Sequence, residues 1–149
     1  MALIDLEDLA QGPILALDPG SKTIGVAACG ATRGLANPVE TIQRTKFTAD
    51  AARIFKLYDE RKAVGLVIGL PYNMDGSEGA RAQSSRALAR NLLGLRDIPI
   101  IFQDERLSTF EATEALISAG MRRERRKEVI DAHAAANILR SVLDRLEHL

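Results

Sequence analysis

The stretch that decides the fold is ILALDPGSKTIGVAA, Ile14–Ala28. Ile14-Leu15-Ala16-Leu17 is an unbroken apolar run that stops at a carboxylate, Asp18. An apolar run that does not alternate with polar residues reads as a strand covered on both faces. Pro19-Gly20-Ser21-Lys22 follows as turn punctuation, and a second apolar run fills Thr23–Cys29. The turn is short enough to pair the two runs as an antiparallel hairpin. Asp18 therefore stands where a buried sheet opens to solvent. A lone buried carboxylate is costly and calls for a hydrogen-bond cage, a basic partner or a metal ion. The plainer alternative is that Asp18 caps the turn through its own backbone. Whether other acids converge on the same place separates the two.

Working outward, Gly30–Gly34 is a further turn and Leu35–Ile42 a third strand, which Pro38 confines to a sheet edge. Residues 1–12 read as a short acidic extension outside the fold, leaving 13–149 as one domain. Helical periodicity takes over at Phe47–Lys62, with Thr48 as N-cap and Ala51, Ile54, Phe55 and Tyr58 on one face. Ala63–Leu70 is a second buried strand, and Tyr72–Gly79 is a polar, glycine-containing loop. A helix over Ala80–Leu95 places Ala87, Leu88, Leu92 and Leu95 at core spacing, and Ile98–Gln103 is another buried strand. Ser108-Thr109-Phe110-Glu111 matches a capping box that opens a helix closed by Gly120. A last helix runs from about Lys127 to the C-terminus. The order is β-β-β-α-β-α-β-α-α, and right-handed crossovers make the strands at 14, 64 and 98 parallel. Functional groups in such a sheet gather beyond the carboxyl ends of its parallel strands.

Twenty Lys and Arg balance twenty Asp and Glu, so any nucleic-acid footprint must be a local patch. The single cysteine, Cys29, excludes an internal disulfide and a Cys-built zinc site, and reads as core filler. No apolar run is long enough to span a membrane and the acidic N-terminus lacks a signal-peptide start, so a cytoplasmic protein is expected.

The last helix carries the observation that separates the two readings of Asp18. Asp131 shares a helical face with Ala134, Ala135, Ile138 and Val142, a stripe that must pack on the sheet. An acid there either serves the helix dipole and the upstream arginines, or joins a site. Asp18, Asp104-Glu105 and Asp131 bring carboxylates from three separate segments to one rim. Clustered like charges repel unless a cation lies between them. Oxygen-only donors suit Mg²⁺ or Mn²⁺, and a carboxylate-held pair of such ions, about 3.5–4 Å apart, is the standard device for displacement at phosphorus. His133 falls on roughly the opposite helix face from Asp131. Arg122-Arg123-Glu124-Arg125-Arg126-Lys127 is a basic run beside the acids; it is either a solvated turn or a hold on backbone phosphates. Lys22, Asn73 and Arg81 are further candidates for substrate contact, from the hairpin turn and from the loop and helix after the middle strand.

DPGSKTIGVA, GLPYNMDGSEGARAQ, DERLST and RRKEVIDAHAAANIL, in this order, closely resemble the YqgF family, also called RuvX, a bacterial branch of the RNase H-like superfamily. The resemblance runs from about Ile14 to Leu143. It implies an RNase H-like α/β fold, a five-stranded mixed sheet in the order 3-2-1-4-5 flanked by helices. It also implies a divalent-metal nuclease, described either as a Holliday junction resolvase or as a nuclease maturing the 5′ end of 16S ribosomal RNA. By position, the family's first-strand acid falls on Asp18, its acidic DER motif on Asp104-Glu105-Arg106, and its last-helix acid on Asp131. Glu105 rather than Asp104 is the expected direct metal ligand beside Asp18 and Asp131. Arg106, Arg122, Arg123, Arg125, Arg126 and Lys127 are expected on nucleic acid. Two departures stand out. Lys22-Thr23-Ile24-Gly25 lacks the arginine common after the lysine, which removes a basic group near the site. Cys29-Gly30 replaces a frequent Ser-Asp.

The resemblance leaves three functions to weigh. One is an endonuclease acting on structured ribosomal RNA precursor, in contact with pre-ribosomal particles. The second is a resolvase acting on branched DNA. The third is a non-catalytic nucleic-acid-binding assembly factor. A resolvase cuts two strands symmetrically and needs a stable dimer. No helix stands out as a dimer interface, so a monomer or weak homodimer that processes RNA is expected.

Overall fold

The computed structural model describes residues 3–73, 75–104 and 123–148, with backbone alone for 123–130. Five strands form one sheet: β1 (Ile14–Pro19), β2 (Thr23–Cys29), β3 (Asn37–Gln43), β4 (Gly65–Leu70) and β5 (Ile100–Asp104). Their order is β3-β2-β1-β4-β5, with the first three antiparallel and β1, β4 and β5 parallel. Helix α1 (Phe47–Glu60) connects β3 to β4, α2 (Ala80–Leu95) connects β4 to β5, and α3 (Arg123–Glu147) follows. Every residue of β1, β2 and β4 is buried, as unbroken apolar runs require.

Alternation along the strands sorts these residues into two cores. Leu15, Leu17, Ile24, Val26, Leu66, Ile68 and Ile100 pack with Ile54, Leu57, Leu88 and Leu92 of α1 and α2. Ile14, Ala16, Ala27, Val67 and Ile101 pack with Ala135, Ile138, Leu139 and Val142 of α3. The stripe expected beside Asp131 is therefore the core face of α3. His133 is exposed, on the other side of the helix.

Several boundaries differ from the sequence expectation for identifiable reasons. β3 starts at Asn37 rather than Leu35, and Leu35 is 72% exposed. Pro38 lies opposite Ala27 while Glu40 lies opposite Val26, so Val39 forms a bulge where the imide has no N–H to give. α1 begins one residue before Thr48, with Lys46 at the N-cap and no side-chain cap; instead the buried Asp50 carboxylate accepts from the Thr45 N–H at 3.2 Å. Leu95 is 55% exposed, and Ala82, Ser85 and Ala89 fill the core face of α2 in its place. β5 runs on to include Asp104, and α3 starts a turn earlier than Lys127.

The segment before residue 13 does not stand outside the fold. Leu3 bridges to Ile100 beyond β5, a 3-10 turn forms at Leu6–Asp8, and Leu6 and Leu9 are buried in the α3-side core. Arg33, in the left-handed region at φ 57°, holds this segment by donating to the carbonyls of Gly12 (2.9 Å) and Ala10. The capping-box helix expected at residues 108–120 lies outside the described residues. Among the described residues, no helix is long and apolar enough to cross a membrane.

Candidate active site

The carboxyl end of β1 opens into a cavity of about 290 Å³ lined by Asp18, Gly20, Ser21, Lys22, Thr23, Arg81 and Asp131. Strand alternation puts Asp18 on the same face as Ile14 and Ala16, the face that α3 covers. Its cross-strand partner is Gly25. A Cβ on Gly25 would lie 1.8 Å from the Asp131 carbonyl oxygen, so the α3 backbone rests directly on β2 at this point. Glycine at 25 is thus what lets the helix descend far enough to bring Asp131 to Asp18. Thr23 adds a second tie: its hydroxyl donates to Asp131 Oδ2 at 2.6 Å, across 108 residues of sequence.

The turn between β1 and β2 is braced from outside. The Gly20 N–H donates to the Thr23 carbonyl at 2.8 Å, and Arg44 N–H to the Lys22 carbonyl at 2.9 Å. The Arg44 guanidinium also donates to the Gly20 carbonyl at 2.6 Å. Lys22 is exposed at the tip. From the start of α2, Arg81 reaches back with a nitrogen 3.9 Å from Asp18 Oδ1 and 3.5 Å from the Pro19 carbonyl. A buried carboxylate, 5% exposed, thus already faces one cationic group.

The remaining candidates divide. Asp104 closes β5 next to Gln103, and the strand alternates: Ile101 and Gln103 lie on the α3 side, Ile100, Phe102 and Asp104 on the other. Asp104 is therefore exposed on the sheet face opposite Asp18 and Asp131. Gln103, on the α3 side, accepts from Arg145 at 2.5 Å. Asn73 does not line the cavity; its amide donates to Ser77 Oγ at 3.0 Å and closes its own loop. That loop is pinned to α2 by the Arg86–Glu78 ion pair at 2.6 Å, with Arg86 stacked 5.2 Å over Phe102. Glu105, Arg106 and Arg122 lie outside the described residues, as do the side chains of Arg123, Arg125, Arg126 and Lys127. Cys29 is buried, and burial pushes its thiol pKa up, which suits core filler and not a nucleophile.

The donor set fits a hard divalent cation. Its acidic members offer carboxylate oxygen, among the described residues no imidazole or thiolate lines the cavity, and two acids share it. Among the described residues no third His, Cys, Asp or Glu joins them. Thr23 and Gly25 fall inside the DPGSKTIGVA motif, where Thr23 stands out only as a lost basic group, and Arg44 carries no motif signal. The available hint is position: Thr23 and Gly25 share the period-2 face of β2 that meets Asp18.

A family model described as "RuvX: Holliday junction resolvase" matches residues 12–145, nearly the whole chain. The chain belongs to the RuvX family. Relatives named "Putative pre-16S rRNA nuclease" are similar over full length. The protein of Phenylobacterium zucineum is 54% identical, with all of both chains covered. That of Bradyrhizobium sp. ORS 278 is 58% identical over 93% of this chain and 86% of its own. Among solved structures, Thermus thermophilus RuvC in complex with a Holliday junction substrate superposes with a TM-score of 0.53 at 12% identity, covering 91% of this chain and 96% of that one. The yeast mitochondrial Holliday junction resolvase Ydc2 gives 0.56 at 13% identity, covering 96% and 84%. At such identities the likeness concerns the fold, which is RNase H-like. The family is one of nucleases acting on nucleic acid.

Proposed function

We propose that this RuvX-family chain is a divalent-metal-dependent endonuclease that hydrolyses phosphodiester bonds in structured RNA, acting in 5′ maturation of the 16S ribosomal RNA precursor in the cytoplasm. The observation that carries the reading is the meeting of Asp18 and Asp131 in one cavity beside Lys22 and Arg81. Asp18 and Asp131, with Glu105 as the further acid, would hold Mg²⁺ or Mn²⁺ in a two-ion site. The chemistry such a site would supply is a lowered pKa of an attacking water and stabilisation of the charge that builds at phosphorus. Asp104, on the other sheet face, is not a ligand in this reading. Lys22 and Arg81 grip phosphates at the cavity mouth, and Arg106 and the basic residues between Arg122 and Lys127 extend the track. The names of the full-length relatives favour ribosomal RNA as substrate.

The family description favours a second reading, the same chemistry on branched DNA. One assay tests both: a 16S precursor with a 5′ extension beside a four-way DNA junction, each with Mn²⁺, with EDTA, and with Asp18→Asn protein. The expected result is Mn²⁺-dependent cutting of the RNA, lost in Asp18→Asn while the variant stays folded. Cutting of the junction alone selects the resolvase. Tight binding without cutting of either substrate would make the chain an assembly factor. Unfolding of Asp18→Asn would make Asp18 a structural cap.

A further inference from the structure

We infer that Thr23 is a positioning residue for Asp131, setting the orientation of one metal-binding carboxylate; the inference rests on the metal-site reading above. Thr23 is buried, 8% exposed, and its hydroxyl makes a short charge-assisted bond of 2.6 Å to Oδ2. A carboxylate has about four acceptor directions, so one donor fixes the group while leaving the others to the cavity. The donor is itself fixed. Threonine is stiff at χ1, its backbone lies in β2, and its carbonyl closes the Gly20–Thr23 turn.

The acid is fixed at its other end as well. The α3 backbone at Asp131 is seated on Gly25, two residues along the same strand face. Backbone contact sets where the acid is, and the hydroxyl sets which way it turns. An acid held in this way loses little rotamer freedom when a cation arrives. The bond also links Asp131 to the end of the turn that carries Lys22.

The test is calorimetric titration of Mn²⁺ into wild type, Thr23→Val, Thr23→Ala, Thr23→Ser and Asp131→Asn, each first melted in EDTA to check folding. Removing a partner that orients a ligand costs about 10–100-fold in metal affinity. Thr23→Val and Thr23→Ala should therefore bind Mn²⁺ at least about tenfold more weakly, with Thr23→Ser close to wild type. A merely structural clamp would change melting in EDTA and leave the Mn²⁺ affinity of the folded protein alone. Equal Mn²⁺ affinity in wild type and in both hydroxyl-free variants, with binding lost in Asp131→Asn, overturns the role of Thr23 and spares the metal site. Failure of wild type to take up Mn²⁺ overturns both.

Discussion

The two faces of the sheet differ in side-chain size beside the candidate site, and the difference explains how two acids come to share one cavity. On the α1–α2 side, β1, β2 and β4 present Leu15, Leu17, Ile24, Val26, Leu66 and Ile68, which hold the helices off at the length of a branched side chain. On the α3 side Ile14 and Val67 pack with Ile138, Leu139 and Val142, but beside Asp131 the strands present Ala16, Gly25 and Ala27, and α3 answers with Ala134, Ala135 and Ala136. Small residues on both partners let backbones approach, to the point where Gly25 touches the Asp131 carbonyl. Large residues build a core; small ones bring a helix-borne acid down to a strand-borne one. The lesson is that close approach, as well as burial, places functional groups here.

This contrast can be broken from either side. On the α1–α2 face, Leu66→Ala should cost about 2–5 kcal/mol in denaturant unfolding, as large-to-small changes in a packed core do. Cleavage per folded molecule should be unchanged, because Leu66 is fully buried away from the α3 face. On the α3 face, Gly25→Ala drives a methyl into the α3 backbone, so its cost in stability should reach or exceed the upper end of the about 1–3 kcal/mol of an overpacked contact. Its cleavage should fall much further than stability accounts for, because α3 must lift and carry Asp131 with it. Equal loss of activity in the two variants would end the distinction between the faces.

Smaller effects sharpen it. Arg81→Gln removes a cation at the cavity mouth, so RNA affinity should weaken and the salt dependence of binding should fall by about one unit of slope. Measuring that slope over a salt series decides whether Arg81 meets phosphate or only balances Asp18. The smallest effect is expected at Glu40, on the edge strand β3, whose carboxyl pKa is lowered by its hydrogen bonds from Arg53 at 2.9 and 2.5 Å. A carboxyl pKa lowered by folding stabilises the protein above its unfolded value, and that contribution disappears as pH falls through the folded value. With side chains 29% and 41% exposed, the pair should contribute less than about 1 kcal/mol. Unfolding of wild type and Glu40→Gln should differ at neutral pH and converge in acid.

Much of this architecture is legible along the chain, because a strand buried on both faces has to be written as an apolar run. Ile14–Leu17, Thr23–Cys29 and the run ending at Leu70 announce the centre of the sheet, and Pro38 announces its edge. Asp18 and Asp131 are legible for the complementary reason: acids in apolar stripes are conspicuous. The errors fall where local pattern has no say. Leu6 and Leu9 sit among acids and read as a solvated extension, yet the open flank of β5 and α3 gives them something to cover. Leu95 keeps the helical period but sits at the end of α2, where the sheet no longer shields it.

By itself, then, the sequence determined the order of elements, the buried strands, the sheet edge and the two acids worth watching, all of which follow from periodicity and the cost of burying charge. Only the tertiary structure decided that Asp104 faces away from those acids, since its side depends on the strand's last paired residue. It alone seated Asp131 on Gly25 and gave Thr23 a partner. Such contacts join residues far apart in sequence, and no local pattern encodes the distance between a helix and a sheet.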